Sequence, residues 1–321
     1  MNQLLNYVLI IGSSNIDLNI YSKRLPNPGE TVTGGVFKQF LGGKGANQAV
    51  AAVRSGANTI FIGKFGMDVF GDQMKSQLTK EGIDLSHIIR DSKESSGVAF
   101  ILIDEKGENM ISVAPGANFK LSVEEIKSKA NIIKNANSIV VQMEIPIETI
   151  EEIFKIASEG DCIKILNPAP LKPIPLNILE KVDIIIPNEG ELYRLHSLLN
   201  LKPLSGEGNQ KIMQASKNLF NLGIKYVITT LGKRGSLIYL GNEDKFIEIP
   251  APEVSAVDTV GAGDCFIGVL VSKLSQSETI INAAKYATIA ASIAVTRRGA
   301  QASMPYLNEI ERKFKELNRN G

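Results

Sequence analysis

The chain has 321 residues, of which 44% are hydrophobic, and its 35 basic and 34 acidic residues leave a formal net charge of +1. This length allows one large α/β domain or two smaller ones with a sizeable buried core. A charge balance so close to neutrality gives no sign of a nucleic-acid-binding surface or of a charged tail.

The number of cysteines and the lengths of the apolar runs indicate where in the cell the protein is expected. The two cysteines, Cys162 and Cys265, are far apart in the sequence, which argues against a disulfide framework or a cysteine-rich zinc site. The first apolar run, 7–11, is too short for a signal peptide, and no run approaches the roughly 20 apolar residues of a membrane span. We therefore expect a soluble, cytoplasmic protein that binds neither nucleic acid nor membrane.

Short apolar segments alternate with longer helical patterns along the chain. The predicted strands are apolar on both faces, as parallel strands covered by helices are, and they are 7–11, 59–63, 138–142, 163–166, 183–186 and 226–230. The predicted helices are 45–55, 70–81, 123–135, 147–158, 189–199 and 210–222, with a further one from Cys265. This alternation predicts an α/β sandwich of three layers with a mostly parallel central sheet.

Two segments interrupt the alternation. Residues 15–40 and 97–115 have the apolar and polar alternation of half-buried strands, and the second contains a polar turn at 105–108. We interpret them as a small antiparallel sheet that projects from the main domain. The edges and the outer face of such a sheet need cover, which a ligand beneath it and a second subunit beside it would supply.

The first predicted strand leads into GSSNID, residues 12–17. Loops at the carboxyl ends of parallel strands form the ligand crevice of open α/β sheets. Asn15 and Asp17 are two residues apart, so in an extended segment they point the same way, and an amide beside a carboxylate suits sugar hydroxyls. An ordinary turn that uses its preferred residue types explains the motif equally well.

Three further crevice candidates lie in the first half of the chain. The glycines of GGKGANQA, residues 42–49, let backbone N–H groups approach a ligand at a helix start, although the spacing is not that of a P-loop. Asn47 is expected in the first turns of that helix with its amide free to face the crevice, whereas Lys44 has a solvated surface position as its alternative. Glu144 follows the strand 138–142, and its alternative is a surface acid near a helix start.

The second half of the chain carries two motifs directly after predicted strands. Asn188 and Glu191 have the spacing of a helix capping box, and alternatively they face a magnesium ion, through water, beside nucleotide phosphates. TTLGKRG, residues 229–235, either covers nucleotide phosphates or forms a hairpin turn with the strand SLIYL behind it, and both can hold.

The segment DTVGAGDCF places Gly261, Ala262 and Gly263 directly before Asp264 at a predicted helix start. Backbone N–H groups and the positive end of the helix dipole can surround an anion there. Such donors stabilise the charge on a phosphoryl group during transfer, and the neighbouring carboxylate can accept the proton of the attacking hydroxyl. The alternative is a helix start with an acid that the dipole favours.

Taken in order, these motifs resemble the ribokinase family of carbohydrate kinases. The segments GSSNID, GGKGANQAVAA, VAPGAN, NPAP, PNEGE, TLGKRG, DTVGAGDCF and AVTRRGAQASMP carry the resemblance, which runs from about residue 7 to 307. It implies one α/β kinase domain over 1–321, with a β-sheet lid at about 15–40 and 97–115 through which two copies form a homodimer. It also implies transfer of the ATP γ-phosphate to a terminal hydroxyl of a sugar, with O5 of D-ribose as first choice.

The same resemblance gives a role to each matching residue. Asp264 would be the catalytic base, and the amides of Gly261, Ala262 and Gly263 would form the anion hole. The sugar would be held, together with Asp264, by Asn15, Asp17, Gly43, Lys44, Asn47 and Glu144. The residues facing ATP would be Asn188, Thr230, Leu231, Gly232, Lys233, Arg234, Gly235 and Gly263, with Glu191 near Mg²⁺ through water. An activating K⁺ would be bound by the carboxylate of Asp258 and the carbonyls of Val260, Ala294, Arg297 and Gly299, with Ser303 close by.

Other functions stay open at this point. A sibling kinase would act on deoxyribose, fructose, 2-keto-3-deoxygluconate or a nucleoside, although the small polar sugar-side group offers no aromatic shelf for a purine. A non-catalytic sugar-binding regulator would be expected to lack the base or its anion hole. Gly261 and Gly190 replace the alanine and threonine more usual in the family, which bears more on the choice of sugar than on kinase activity. A dehydrogenase and a Ser-His-Asp hydrolase are disfavoured, because no GxGxxG follows the first strand and neither His87 nor His196 lies at a strand end.

Overall fold

The computed structural model describes residues 6–319, with side chains as far as residue 317. Fourteen strands lie within that range: β1 (Val8–Ile11), β2 (Asn15–Tyr21), β3 (Val36–Gly42), β4 (Thr59–Ile62), β5 (Lys64–Gly66), β6 (Ile89–Asp91), β7 (Gly97–Ile103), β8 (Asn109–Ala114), β9 (Ser138–Gln142), β10 (Ile163–Asn167), β11 (Ile184–Ile185), β12 (Tyr226–Thr230), β13 (Ser236–Leu240) and β14 (Lys245–Ile249).

Eleven α-helices lie within the same range. They are α1 (Lys44–Arg54), α2 (Val69–Lys80), α3 (Val123–Lys127), α4 (Ala130–Lys134), α5 (Ile147–Ala157), α6 (Leu176–Leu179), α7 (Glu189–Leu198), α8 (Asn209–Phe220), α9 (Ala262–Ser275), α10 (Ile280–Ala294) and α11 (Leu307–Arg319). None of them, among the residues described, combines the length and the apolar composition that crossing a membrane requires.

The main sheet has eight strands in the order β14-β13-β12-β11-β10-β9-β1-β4. All pairs from β12 to β4 are parallel, and only β13 and β14 join at the edge as antiparallel strands. The six predicted strands all lie in this sheet, with ends shifted by one residue at most. The prediction of a mostly parallel sheet with helices on both faces is confirmed.

The central strand β1 shows why these segments fold as they do. Its four residues, VLII, are completely buried. Side chains alternate across a strand, so Val8 and Ile10 pack into the core shared with α1, α9 and α10. Leu9 and Ile11 pack into the opposite core, which includes residues of α5, α7 and α8. A strand with helices on both faces needs apolar residues at every position.

Helices α1 and α9 approach each other closely on one face of the sheet. A Cβ atom at Gly268 of α9 would overlap the carbonyl oxygen of Gln48 and crowd the side chain of Ala51. The glycine therefore permits a helix separation that no larger residue would allow. This contact holds the first turn of α9, with Asp264, beside the first two turns of α1.

A second, four-stranded sheet has the order β3-β2-β7-β8 and covers 15–42 and 97–114. Its β2–β3 and β7–β8 pairs are antiparallel, but β2 and β7 are parallel. The prediction of an antiparallel sheet is therefore wrong for the central pair. Between β2 and β7 the chain returns through the main domain, and such a long crossover allows two strands to run in the same direction.

The predicted helix 123–135 is also wrong in one respect, because it is two short helices, α3 and α4. Ser122 caps the first of them in a capping box with Glu125, and the Lys129 N–H bonds to the Ile126 carbonyl as that helix ends. Helices α10 and α11 were not among the predicted elements. The first of these matters for function, since it forms a wall of the cavity described below.

Candidate active site

A cavity of about 830 Å³ opens at the carboxyl ends of the parallel strands. Asn167 at the end of β10 and Thr230 at the end of β12 lie at its strand edge, and Gly263 and Asp264 face it from the start of α9. Lys44 enters it from the start of α1. Ligand sites of open α/β sheets lie at this edge, so the cavity is the candidate active site.

The carboxylate of Asp264 is almost completely buried, with 7% of the residue exposed. Its Oδ2 accepts a hydrogen bond from Nδ2 of Asn47 at 2.9 Å, and its Oδ1 accepts one from Nε2 of Gln48 at 3.0 Å. The expectation that the Asn47 amide is free to face the crevice is therefore wrong for its nitrogen. Asn47 and Gln48 are consecutive on α1, so one helix turn holds both carboxylate oxygens.

The first turn of α9 presents backbone amides without side-chain caps. Gly261, at the N-cap, has the left-handed backbone conformation (φ 76°), and a Cβ there would lie 3.1 Å from the Cα of Ala300. The Ala262 N–H donates to the Thr259 carbonyl at 3.3 Å. Gly263 is exposed to the cavity, and a Cβ added to it would meet nothing within 4 Å. The helix start therefore offers bare amides at the positive end of its dipole.

Three charged side chains gather near Asp264. Burial, followed by the charges of Glu144 and Asp264, raises the pKa of Asp17 to about 6. The charge of Asp264 raises the pKa of Lys44 above its ordinary value, against the opposite effect of burial, with smaller contributions from Glu144 and Glu191. Lys44 is thus a cavity residue with a firmly held positive charge, and the alternative of a solvated surface lysine is wrong.

Glu144 joins the two loops on this side of the cavity. Its Oε2 accepts hydrogen bonds from the Ser13 hydroxyl and, at 3.1 Å, from the Lys44 backbone N–H. Gly43, with φ 87°, packs its Cα against Ser14, where any side chain would collide with the backbone. Glu144 therefore binds the GSSNID loop to the start of α1, which a surface acid would not do.

Asn15 is held from a different direction. Its Oδ1 accepts a hydrogen bond from Nδ2 of Asn118 at 2.8 Å, and Oδ1 of Asn118 accepts the Ser14 N–H at 3.0 Å. Asn118 ends the VAPGAN motif, whose role in shaping the GSSNID loop the sequence did not indicate. Because Oδ1 of Asn15 accepts a hydrogen bond from Asn118, it is the amide N–H groups of Asn15 that can bind other partners.

On the far side of the cavity, Asn188 and Glu191 form the capping box that their spacing predicts. The Glu191 N–H donates to the Asn188 side chain, and the Asn188 N–H donates to Oε2 of Glu191, both at 2.8 Å. Both residues also line the cavity. The structural interpretation is confirmed, and it leaves Oε1 of Glu191 without a hydrogen bond in the described residues.

The segment 230–235 forms the predicted hairpin, since β12 and β13 pair in antiparallel register. Thr230, Gly232, Lys233 and Gly235 line the cavity. Leu231 and Arg234 do not belong to its wall, and the guanidinium of Arg234 instead pairs with the carboxylate of Glu189. Four of the six residues predicted to face a nucleotide therefore line the cavity, and their contact with a nucleotide stays a prediction.

The candidate cation residues surround the loop that leads into α9. The carboxylate of Asp258 accepts the N–H of Val260 at 3.0 Å through Oδ1 and the N–H of Gly299 at 2.9 Å through Oδ2. The carbonyl of Ala294 accepts the Arg297 N–H at 3.0 Å. Ser303 is buried, and its hydroxyl donates to the Ala300 carbonyl. Asp258 thus ties two loops together just before the helix that carries Asp264.

Part of the cavity wall was missed by sequence reasoning. The loop 251–256 and the last turns of α10 contribute Val254, Ala291 and Val295, with the hydroxyls of Thr288 and Ser292 nearby. A Pro-containing loop after a strand and an Ala-rich helix are common, so neither signals a ligand. Gln48, which bonds to Asp264 but does not line the cavity, was also missed, although it is the next residue after Asn47. Within residues 6–319, no group of three or more His, Cys, Asp or Glu side chains is arranged to hold a metal ion.

Comparison with known proteins identifies the family. The sequence model described as pfkB family carbohydrate kinase matches residues 5–307. The chain belongs to the pfkB family of carbohydrate kinases. The predicted family, fold class and kinase activity are thereby confirmed, and the regulator, dehydrogenase and hydrolase alternatives lose their basis.

Individual relatives of this pfkB-family kinase align over nearly its whole length. A ribokinase of Staphylococcus aureus is 39% identical over 308 residues, which cover 95% of this chain and 98% of the relative. A deoxyribokinase of Salmonella typhimurium is 35% identical over 304 residues, covering 94% and 97%. The structure of Arabidopsis thaliana ribokinase complexed with ribose and ATP has a TM-score of 0.89 at 30% identity, and the match covers 97% of this chain and 99% of that one.

Proposed function

We propose that this pfkB-family kinase transfers the γ-phosphoryl group of ATP to O5 of D-ribose. One observation carries the proposal: the carboxylate of Asp264 lies at the bare N-terminus of α9, on the cavity wall, with Asp17, Lys44 and Glu144 near it. An alcohol bound among these side chains meets a base and an anion-binding helix end at the same place. Phosphoryl transfer requires that arrangement, because it depends on positioning and on charge stabilisation.

The proposed roles are supported by where these residues lie. Asp264 accepts the proton of the sugar hydroxyl, and the amides of Gly261, Ala262 and Gly263 stabilise the phosphoryl charge. The Ala262 N–H then exchanges its weak bond to the Thr259 carbonyl for one to the phosphoryl group. Asn15, Asp17, Gly43, Lys44, Asn47 and Glu144 hold the sugar. Asn188, Gly263 and the cavity-facing part of 230–235 hold ATP, whose base fits the apolar wall made by Val254, Ala291 and Val295.

Two ions complete the proposal. Oε1 of Glu191 is a hard oxygen donor beside the cavity, which suits Mg²⁺ held through water and supplies charge neutralisation for the phosphates. The carbonyls of Val260, Arg297 and Gly299 accept no hydrogen bond from the described residues. Unpaired carbonyls around a carboxylate suit a large, weakly hydrated cation such as K⁺, which would stabilise the loop before α9.

We further propose that the sheet at 15–42 and 97–114 is a lid over the sugar and the contact between two copies of the chain. Asn15 and Asp17 lie on β2 of this sheet, directly after β1 of the main sheet. Phe37, Phe100 and Met110 are more than half exposed on it. A soluble enzyme rarely exposes such a patch without a partner. Cys162 and Cys265, both buried and unpaired, fit the proposed cytoplasmic location.

The choice of sugar has one named competitor. The Staphylococcus aureus and Arabidopsis thaliana relatives are ribokinases, whereas the Salmonella typhimurium relative is a deoxyribokinase. We place D-ribose first because the ribokinase relative is the more similar of the two. Deoxyribose is the second candidate on the strength of the deoxyribokinase relative.

The test is an ATP-dependent phosphorylation assay across D-ribose, 2-deoxyribose, fructose, 2-keto-3-deoxygluconate and adenosine. We expect the highest kcat/KM with D-ribose and no product from 5-deoxyribose, which lacks the accepting hydroxyl. A higher kcat/KM with another sugar would reassign the substrate. No phosphorylation of any sugar in the set would overturn the proposal itself.

A further inference from the structure

Behind Asp264 lies a chain of buried amide side chains that the proposed mechanism does not use. Gln142 and Gln48 have no exposed surface, and Asn167 has 6%. Gln48 does not line the cavity, whereas Asn167 and Asp264 do. Because Gln48 has no exposed surface, it makes no direct contact with a substrate, and its effect on the reaction has to pass through the residues to which it bonds.

The hydrogen bonds of this chain have one direction. Nε2 of Gln142 donates to Oε1 of Gln48 at 2.6 Å, and Nε2 of Gln48 donates to Oδ1 of Asp264 at 3.0 Å and to Oδ1 of Asn167 at 3.3 Å. A primary amide has two N–H groups and one oxygen. The two donors of Gln48 are thus both used, and its oxygen is occupied from behind.

The contact of Asn167, at the far end of this series of amides, rules out the reversed orientation of the Gln48 amide. Nδ2 of Asn167 donates to the Ile186 carbonyl at 3.0 Å. A carbonyl only accepts, so the Asn167 nitrogen must face it, and the Asn167 oxygen must face Gln48. If the Gln48 amide turned over, its oxygen would meet the oxygens of Asp264 and Asn167, and its nitrogen would meet the nitrogen of Gln142.

Gly12 makes room for the side chain of Gln142, the first amide in this series of hydrogen bonds. A Cβ at Gly12 would overlap Oε1 of Gln142, which accepts no hydrogen bond from the described residues. Gly12 opens the GSSNID motif on the sugar side of the cavity. The first residue of a motif that we assign to sugar binding is thus also a spacer that lets Gln142 reach Gln48.

We propose that Gln48 is a positioning residue that fixes the orientation of the Asp264 carboxylate for proton acceptance. Asn47 holds one oxygen and Gln48 the other, so the carboxylate cannot rotate about its Cβ–Cγ bond without losing a buried hydrogen bond. Each oxygen keeps a lone pair for the incoming hydroxyl. The inference rests on the proposed function, because it requires that Asp264 be the base.

The experiment compares Gln48→Met, which has nearly the same shape and no hydrogen-bonding amide, with the unaltered enzyme. We expect kcat to fall about ten- to hundredfold, because loss of orientation acts on the transition state, while KM for ATP changes less than about threefold. In an Asp264→Asn background, Gln48→Met should lower kcat no further, since its effect passes through the carboxylate.

Ser55→Ala is the matched control, because Ser55 is another fully buried polar residue at the end of α1. Among the described residues its hydroxyl bonds only to the carbonyls of Ala51 and Ala52. Ser55→Ala should leave kcat unchanged.

A folded Gln48→Met enzyme with unchanged kcat would overturn the inference, as would an equal further loss in the Asp264→Asn background. If Gln48→Met does not fold, Gln142→Met decides, since it frees the Gln48 amide to turn over. Gln142→Met should lower kcat in the same direction, and an unchanged kcat would overturn the inference. Near-normal turnover by Asp264→Asn alone would instead reject the base assignment of the proposed function.

Discussion

The Asn47 amide donates to Oδ2 of Asp264 at 2.9 Å, while its own oxygen is buried and accepts no hydrogen bond from the described residues. Asn47 can therefore turn over and accept from an amide at position 264, so Asp264→Asn should fold normally. We expect its kcat to fall by a factor of about 10² to 10⁴, since the base is lost. Steady-state kinetics and calorimetric titration with D-ribose check this, with sugar affinity within about threefold. Turnover close to the unaltered rate would reject Asp264 as the base.

Gly263 offers a test that separates fold from catalysis. A Cβ there would meet nothing within 4 Å, and the residue is inside the first turn of α9. Gly263→Ala should therefore keep or slightly raise Tm, because alanine is the better helix former. The new methyl group would occupy the space of the proposed phosphoryl site, so kcat/KM should fall at least about tenfold. An alanine variant with full activity would show that the phosphoryl group does not approach Gly263.

Asp17 is expected to make both the stability of the fold and the proposed sugar binding depend on pH. Its pKa is raised from 3.8 to about 6 by burial and by the charges of Glu144 and Asp264. An acid with a raised folded-state pKa stabilises the fold below its unfolded pKa, and that stability is lost as pH rises through the folded pKa. Asp17→Asn should thus raise the free energy of unfolding at pH 8 by about 2–3 kcal/mol, with little difference near pH 4. Urea unfolding at the two pH values measures this.

The same titration should appear in kinetics. Because a carboxylate accepts hydrogen bonds from sugar hydroxyls and a protonated acid does so less well, KM for D-ribose should rise about tenfold from pH 7 to pH 5. Asp17→Asn should have a high KM that is independent of pH over this range. A KM that rises equally in the variant would assign the titration to another group.

The loop held by Asp258 predicts a response to monovalent cations. We expect KCl to raise kcat and Tm relative to equal concentrations of NaCl or choline chloride, because the open carbonyls of Val260 and Gly299 suit a large cation. Asp258→Ala should abolish the difference in Tm between the salts. Equal rates and equal Tm in all three salts would count against the ion site.

The proposed contact between the lid sheets of two copies is tested by placing a charged side chain in it. Phe100 is 55% exposed on β7, and Leu176, on α6 outside this sheet, is 51% exposed. Phe100→Lys should give monomers in sedimentation experiments, because an unpaired charge would be buried between the copies. Leu176→Lys is the matched control and should remain dimeric. A dimeric Phe100→Lys protein, or a monomeric unaltered one, contradicts the proposed contact.

The buried strands and the start of α9 were readable from the sequence for a physical reason. Strands with helices on both faces, such as VLII in β1, need an apolar residue at every position. Gly261, Gly263 and Asp264 are adjacent in the chain, so their joint role is local. The predicted strand ends were accurate to within one residue, whereas the predicted start of α9, Cys265, lies three residues after the observed start at Ala262.

What the sequence did not reveal depends on contacts between distant residues. Gln48 and Asp264 are 216 positions apart, and a buried glutamine next to Asn47 looks like any other polar residue of a helix. The parallel pairing of β2 with β7 depends on how the chain returns between them, which strand patterns do not encode. Arg234 has the positive charge expected of a phosphate ligand. Its guanidinium instead pairs with Glu189, which lies 45 residues earlier in the sequence.

The glycine at position 268 extends these constraints into the hydrophobic interior. It lies one helical turn beyond Asp264, at the point where α9 touches the backbone of Gln48. Catalysis should therefore depend on the distance between α1 and α9. Widening it by the width of a methyl group would move the Asp264 carboxylate away from both of its amide donors. Activity in this enzyme can consequently be lost through a residue that no substrate ever meets, and attempts to stabilise the protein by filling its core should leave this position alone.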